Sequence, residues 1–257
     1  MNRVVRYDAT SLIRGVVDRY WGIVGLIVAW QAFVYFTAFN RIVMPSPLSV
    51  LEAIAAAPAT FLWATWATLC VAIIGALVGI VLGSALAVGA WFSPILSGLL
   101  TPLTVLFSSV PVVAFIPVIA RLLGYDTMTV VAIVVVISFF PAFVFASAGL
   151  RALPPGSEDL FRVFGASRIA TLWHLAAPAG LPSLAVGTRI AAAQCVLAAM
   201  VAEFLMGTAG LGYLFHLSKS DFDMERAFGT SLVATALSLV MFALATGVET
   251  RIRDRWM

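Results

Sequence analysis

RALPPGSEDLFRVFGASRIATLWHLAAPAGLP, residues 151–182, decides how this chain is read. A long apolar run lies on either side of it. Pro154, Pro155 and Gly156 stop the preceding helix, since proline cannot continue the hydrogen-bond ladder and glycine accepts turn geometry. Ser157 is placed to cap a new helix, with Glu158 and Asp159 in its first turn, where carboxylates suit the helix dipole. Leu160, Phe161, Val163 and Phe164 give that short helix an apolar surface. Gly165 breaks it, and after Ala166 a second helix starts at Ser167 and is expected to end near Pro178. This helix–glycine–helix island lies outside the bilayer. It reads either as an interfacial anchor or as a docking surface for a partner in the water.

Composition explains why a bilayer is invoked. The chain has 257 residues, of which 62% are hydrophobic and 11% charged, and its mean hydropathy is +1.07. A soluble domain of this length cannot hide so much apolar surface, and several uncharged runs exceed the roughly 18 residues that span a bilayer as helix. Soluble enzymes, nucleic-acid binders and secreted scaffolds are thereby disfavoured, and a net charge of +3 gives no reason to expect nucleic acid. Cys70 and Cys195 fall inside apolar runs as small packing residues, with no disulfide framework or metal-ligand spacing. The apolar run after the arginine-rich start lacks a small-x-small cleavage site and reads as a retained first span.

Six helical spans are expected, at 21–39, 63–91, 99–122, 127–150, 182–205 and 229–248. The second is longer than a bilayer needs and is expected to tilt or protrude. Segments 1–20 and 249–257 flank this all-α transmembrane domain, 21–248, and the loop 151–178 interrupts it. Arg3, Arg6, Arg14, Arg19, Arg151, Arg162, Arg168, Arg251, Arg253 and Arg255 fall on one side. Arg41, Arg121, Lys219 and Arg226 fall on the other. The positive-inside rule therefore places both termini and the island in the cytoplasm.

Polar and small residues mark the candidate sites. Gly75, Gly79 and Gly83 recur every fourth residue, a flat stripe for close helix approach, either within the chain or at a subunit interface. Pro102, Pro111 and Pro117 invite kinks in the third span. Ser108 and Ser109 beside Pro111, with Gln194 in the fifth span, are candidates for lining a pathway. Arg189 is close enough to the cytoplasmic end of its span to snorkel. Glu203, near the outer end, is an ionisable group inside a span and hence a candidate gate. His216 reads as a solvated or packed loop residue.

DLFRVFGASRIATLWHLAAP resembles the "EAA" loop of ATP-binding-cassette importer permeases, a pattern of Glu-Ala-Ala, three residues, Gly, nine residues and Ile-x-Leu-Pro. Gly165 and Pro178 stand at the matching separation. Asp159 stands for the glutamate, Leu160 and Phe161 for the alanines, and Leu175 and Ala177 for the isoleucine and leucine. MPSPLSVLEAI, SSVPVVAFIPVIARLLG, FFPAFVFASAGLRALP, LPSLAVGTRIA and VAEFLMGTAGLGYL are similar to the branch importing nitrate, sulfonates and taurine, which also includes pyrimidine-precursor and riboflavin importers. The resemblance implies a type I importer fold in the bacterial inner membrane. It also implies a second permease copy in a homodimer, cytoplasmic ATPase subunits that bind ATP and magnesium, and an external or lipid-anchored binding protein. The solute implied is sulfonate-, taurine- or nitrate-like, or alternatively a thiamine-pyrimidine or riboflavin-like compound. Asp159, Leu160, Phe161, Phe164, Gly165, Ala166, Ser167 and Pro178 would form the coupling element seated in the ATPase.

An independent observation agrees with a separate motor. A P-loop requires GxxxxGK[ST], and the one lysine, Lys219, stands in HLSKS. With His174 and His216 as the only histidines there is no HExxH, and no GxSxG elbow occurs. No catalytic residue, metal ligand or cofactor of its own is expected. A secondary transporter is the rival class, but no internal repeat supports it. A membrane-embedded enzyme would need ionisable groups clustered at one depth.

Overall fold

The computed structural model describes residues 9–37, 40, 42–109 and 111–256; the side chains of residues 9–20, 105, 107–109 and 112 fall outside that description. Helix is the only regular secondary structure among the described residues. In lipid the backbone must satisfy its own hydrogen bonds, and a helix does so within one segment.

The chain opens with α1 (Ala9–Thr37) and the short α2 (Pro47–Ala56). Ser46 starts α2 by accepting the Ser49 N–H at 3.1 Å, and Pro47 takes the first-turn position where a missing N–H costs nothing. There follow α3 (Pro58–Phe92), α4 (Pro94–Ser109), α5 (Val112–Leu123) and α6 (Thr127–Arg151). Asp126 caps α6, accepting the Thr129 N–H at 3.0 Å. The island holds α7 (Ser157–Val163) and α8 (Arg168–Thr171). A π turn (Leu172–Ala176) leads into α9 (Ala177–Met206), followed by α10 (Leu211–Ser220) and α11 (Met224–Trp256).

Among the described residues, four helices are long and apolar enough to cross a membrane: Pro58–Phe92, Thr127–Arg151, Arg168–Met206 and Met224–Trp256. The expected first span corresponds to the apolar Trp21–Thr37 part of α1. The expected third span is instead two shorter helices, α4 and α5, meeting at Pro111. Pro102 and Pro117 lie inside those helices without ending them, so the break falls at one proline of the three.

A second expectation is corrected. The second island helix does not stop near Pro178; Arg168–Met206 runs as one 39-residue helix. In an α ladder Pro178 would clash with the carbonyl one turn back. The π turn, in which Ala177 N–H reaches Leu172 O, widens the backbone immediately before it. Ser157 also differs from expectation. Gly156, with φ +78°, takes the N-cap place, and Ser157 donates its hydroxyl to Pro154 O at 2.7 Å.

α3, α6 and α9 make the centre. Gly75, Gly79 and Gly83 face α6 inside the chain. A Cβ on them would lie 2.5 Å from Val134 Cβ, 2.5 Å from Val135 O and 2.6 Å from Phe139 O. Helices in lipid gain nothing from hiding apolar surface from one another, so close backbone approach supplies the attraction through van der Waals contact. Gly149 and Gly180 bring α6 and α9 together in the same way. Ile133, Val134, Val196 and Ala199 fill the core between these helices. α11 packs along α9, and α1 is tied by Trp30, whose Nε1 donates to Pro45 O at 3.2 Å and whose ring lies 5.8 Å from that of Phe228.

Candidate functional site

At the island end, α7 closes with a glycine turn. Gly165 N–H bonds Arg162 O at 3.0 Å and Ala166 N–H bonds Phe161 O at 3.0 Å, which satisfies the last carbonyls of α7. Gly165 sits at φ +73°, where a Cβ is disfavoured even though the space around it is open. Ser167 then caps α8, its Oγ accepting the Ala170 N–H at 3.2 Å. Pro178 lies beyond the π turn in the first turn of α9.

The turn leaves an apolar face to solvent. Leu160, Val163, Phe164, Ile169 and Trp173 are all exposed, Val163 at 83%, while Phe161 is half-buried. Asp159 pairs with Arg162 on its own helix at 3.3 Å, both side chains exposed. Two arginines order this end of the bundle, Arg168 joining the island to α3 and Arg151 joining α6 to α4. Arg168 Nη1 donates to Phe92 O at 3.3 Å, at the C-terminal end of α3, where a cation suits the dipole. Arg151 Nη2 donates to Ser97 Oγ at 2.5 Å.

At the other end of the same 39-residue helix, Glu203 is 1% exposed. Its Oε2 accepts the Thr68 hydroxyl at 2.8 Å and the Gly212 N–H at 3.0 Å. Thr68 Oγ1 in turn accepts the Leu211 N–H at 2.8 Å. The first N–H groups of a helix have no partners within it, so this carboxyl and hydroxyl cap α10 from outside and complement its dipole. Gly210 permits the approach. Its φ of +116° and ψ of −173° belong to glycine alone, and a Cβ there would overlap the Glu203 carboxyl. Sequence reasoning singled out Glu203 without its partners. Thr68 carries no local signal, being 135 residues away, whereas the glycines of GTAGLGYL were visible without their purpose.

Arg189 also has a partner the sequence did not reveal. Its Nη1 lies 2.9 Å from Glu249 Oε2 on α11, and its guanidinium stands 5.7 Å from the Phe242 ring centroid. It therefore pairs across helices instead of snorkelling. Gln194 faces a groove of about 500 Å³ between α5, α6 and α9, which Phe115, Phe140, Phe145 and Ile190 also line. Ser108 and Ser109 close α4 at the Pro111 break; their side chains lie outside the described residues. The structure thus unites Gln194 with the broken third span through α5, and keeps Glu203 apart from it.

Residues 75–254 match the family described as the binding-protein-dependent transport system inner membrane component. The chain is 31% identical over 225 residues to the formylaminopyrimidine transport permease protein ThiX of Halalkalibacterium halodurans, covering 87% of this chain and 90% of that one. It is 30% identical over 233 residues to the riboflavin transport system permease protein RibX of Chloroflexus aurantiacus, covering 90% and 87%. It is 26% identical over 196 residues to the taurine transport system permease protein TauC of Escherichia coli, covering 74% and 71%. An inward-facing structure of the MetNI methionine ABC transporter superposes with a TM-score of 0.65 at 16% identity, covering 75% of this chain and 96% of that one, which establishes a shared type I importer permease fold. A split third span, an exposed helical island joined to a long apolar helix, and these matches together make the chain a member of the binding-protein-dependent ABC transporter permease family.

Proposed function

We propose that two copies of this chain form the membrane pathway of an ATP-driven importer, taking a small solute from an external or lipid-anchored binding protein and releasing it into the cytoplasm of a bacterium by alternating access. Cytoplasmic ATPase subunits, which bind ATP and magnesium, supply the work. Asp159, Leu160, Phe161, Phe164, Gly165, Ala166 and Ser167 form the element seated in the ATPase, and Pro178 marks where its motion enters the span. Ser108, Ser109 and Gln194 line the route, and Glu203 holds the outer gate. Both termini and the island face the cytoplasm.

The observation that supports this most is the unbroken Arg168–Met206 helix. Its first turns present Ile169 and Trp173 on the exposed island face, and its far end holds Glu203. At about 1.5 Å per residue such a rod carries a displacement across the whole bilayer. A push on the island therefore reaches the α10 cap along one continuous helical path, by way of the π turn at Leu172–Ala176. The test is co-purification of the tagged permease with its ATPase, and ATP-dependent uptake in proteoliposomes containing both and the binding protein. A permease that inserts yet neither binds an ATPase nor supports ATP-dependent uptake refutes the reading.

A further inference from the structure

We infer that the solute is an uncharged planar heterocycle rather than an anion of the sulfonate kind; this rests on the reading of the Gln194 groove as the route. The groove lies between α5, α6 and α9, alongside the stretch of α9 from Ile190 to Val201. Its volume of about 500 Å³ is within the range of roughly 300–1,000 Å³ in which proteins hold small molecules.

Its chemistry is one-sided. Phe115, Phe140 and Phe145 contribute aromatic surface, and no Asp, Glu, Lys, Arg or His stands among its described lining residues. The ionisable groups of the spans nearest to it are turned elsewhere. Arg189, next to Ile190 in the chain, is engaged by Glu249 and Phe242. Glu203, two residues beyond Val201, is engaged by Thr68 and Gly212. The groove's amide is Gln194, which is exposed on its wall and makes no hydrogen bond to another described residue.

A sulfonate carries a fixed charge and three oxygens that require cations or several N–H donors once water is withdrawn. This wall provides neither. A flat neutral ring loses little on leaving water, stacks on phenylalanine faces, and matches an amide that offers one donor group and one acceptor. The absence of charge thus selects between the two solute classes that the sequence motifs leave open.

The experiment uses proteoliposomes containing the permease, its ATPase and its binding protein, with labelled riboflavin, formylaminopyrimidine, taurine and ethanesulfonate as probes. We expect ATP-dependent uptake of at least one of the two heterocycles to exceed that of both sulfonates by at least about tenfold. Gln194→Leu is expected to lower that uptake by about two- to tenfold, with unchanged ATPase co-purification. Uptake of taurine or ethanesulfonate at or above the heterocycles overturns the inference. So does an assembled complex, with ATP hydrolysis stimulated by the binding protein, that moves neither heterocycle. Unchanged heterocycle uptake in Gln194→Leu overturns the assignment of the groove. Failure to assemble with the ATPase at all instead refutes the importer reading beneath it.

Discussion

The Thr68 hydroxyl meets the Glu203 carboxyl at 2.8 Å, joining α3 to α9 and, through the Leu211 and Gly212 amides, to α10. Both residues are buried, so each hydrogen bond replaces one that water would otherwise supply. Thr68→Val keeps the shape but leaves Leu211 N–H without this acceptor and Glu203 with the Gly212 N–H alone. Unsatisfied buried groups cost about 1–3 kcal/mol each. We expect a lower unfolding temperature of the purified permease and a raised basal ATPase rate in the assembled complex. Glu203→Gln, which can still accept from both donors, should retain more stability than Glu203→Ala. Normal transport, stability and basal activity in all three variants would leave the cluster no role in gating.

Gly210 and Gly207 offer an internal comparison. Gly207 has φ +68° with nothing within 4 Å of a Cβ, so Gly207→Ala pays about 1–2 kcal/mol for the left-handed backbone alone. Gly210→Ala combines a glycine-only conformation with overlap on the Glu203 carboxyl. Thermal unfolding should show the Gly210 variant clearly less stable than the Gly207 variant. Equal midpoints would show that the α10 cap is not rigid.

At Gly165 the strain is conformational, since φ is +73° and the surrounding space is open. Gly165→Asn should largely retain ATPase co-purification, because asparagine tolerates the left-handed region. Gly165→Trp should lose uptake and weaken co-purification while still inserting, because the turn that aligns Phe164 with Ile169 would shift. Asp159→Glu should be tolerated, since it preserves the negative charge beside Arg162. Full uptake and co-purification in Gly165→Trp would exclude the island as the coupling element.

Glu249 is buried and relies on Arg189. Removing one partner of a buried pair costs about 3–5 kcal/mol. Arg189→Met should fall at the low end, because the arginine side chain is 31% exposed and partly screened. Adding Glu249→Leu should restore part of the lost unfolding temperature by removing the stranded acid. A double variant less stable than Arg189→Met would argue against the pair as the source of the loss.

Topology can be read by labelling. In a variant with Cys70 and Cys195 replaced, Ser167→Cys should be shielded from an impermeant thiol reagent outside intact cells, and Ser220→Cys should react. The reverse pattern would invert the orientation derived from the arginines.

The sequence by itself determined the elements whose causes are local. Long uncharged runs require helices because lipid offers no backbone partners, and Gly165 predicted a turn because few other residues accept its backbone angles. The island's apolar face was legible for the same reason, since Leu160, Val163 and Phe164 sit within one short helix and its C-cap. The tertiary structure decided everything that depended on which helices meet. Gly75, Gly79 and Gly83 suited an internal contact or a subunit contact, and it is α6 that lies against them. Pro178 reads as a terminator in isolation, yet packing of α9 against α3 and α6 rewards continuing the helix, and a π turn provides room for it. Arg189 with Glu249, and Glu203 with Thr68, pair across distances in sequence that no periodicity encodes. Buried polar groups seek whatever partner the fold delivers, and only the packed bundle specifies which one that is.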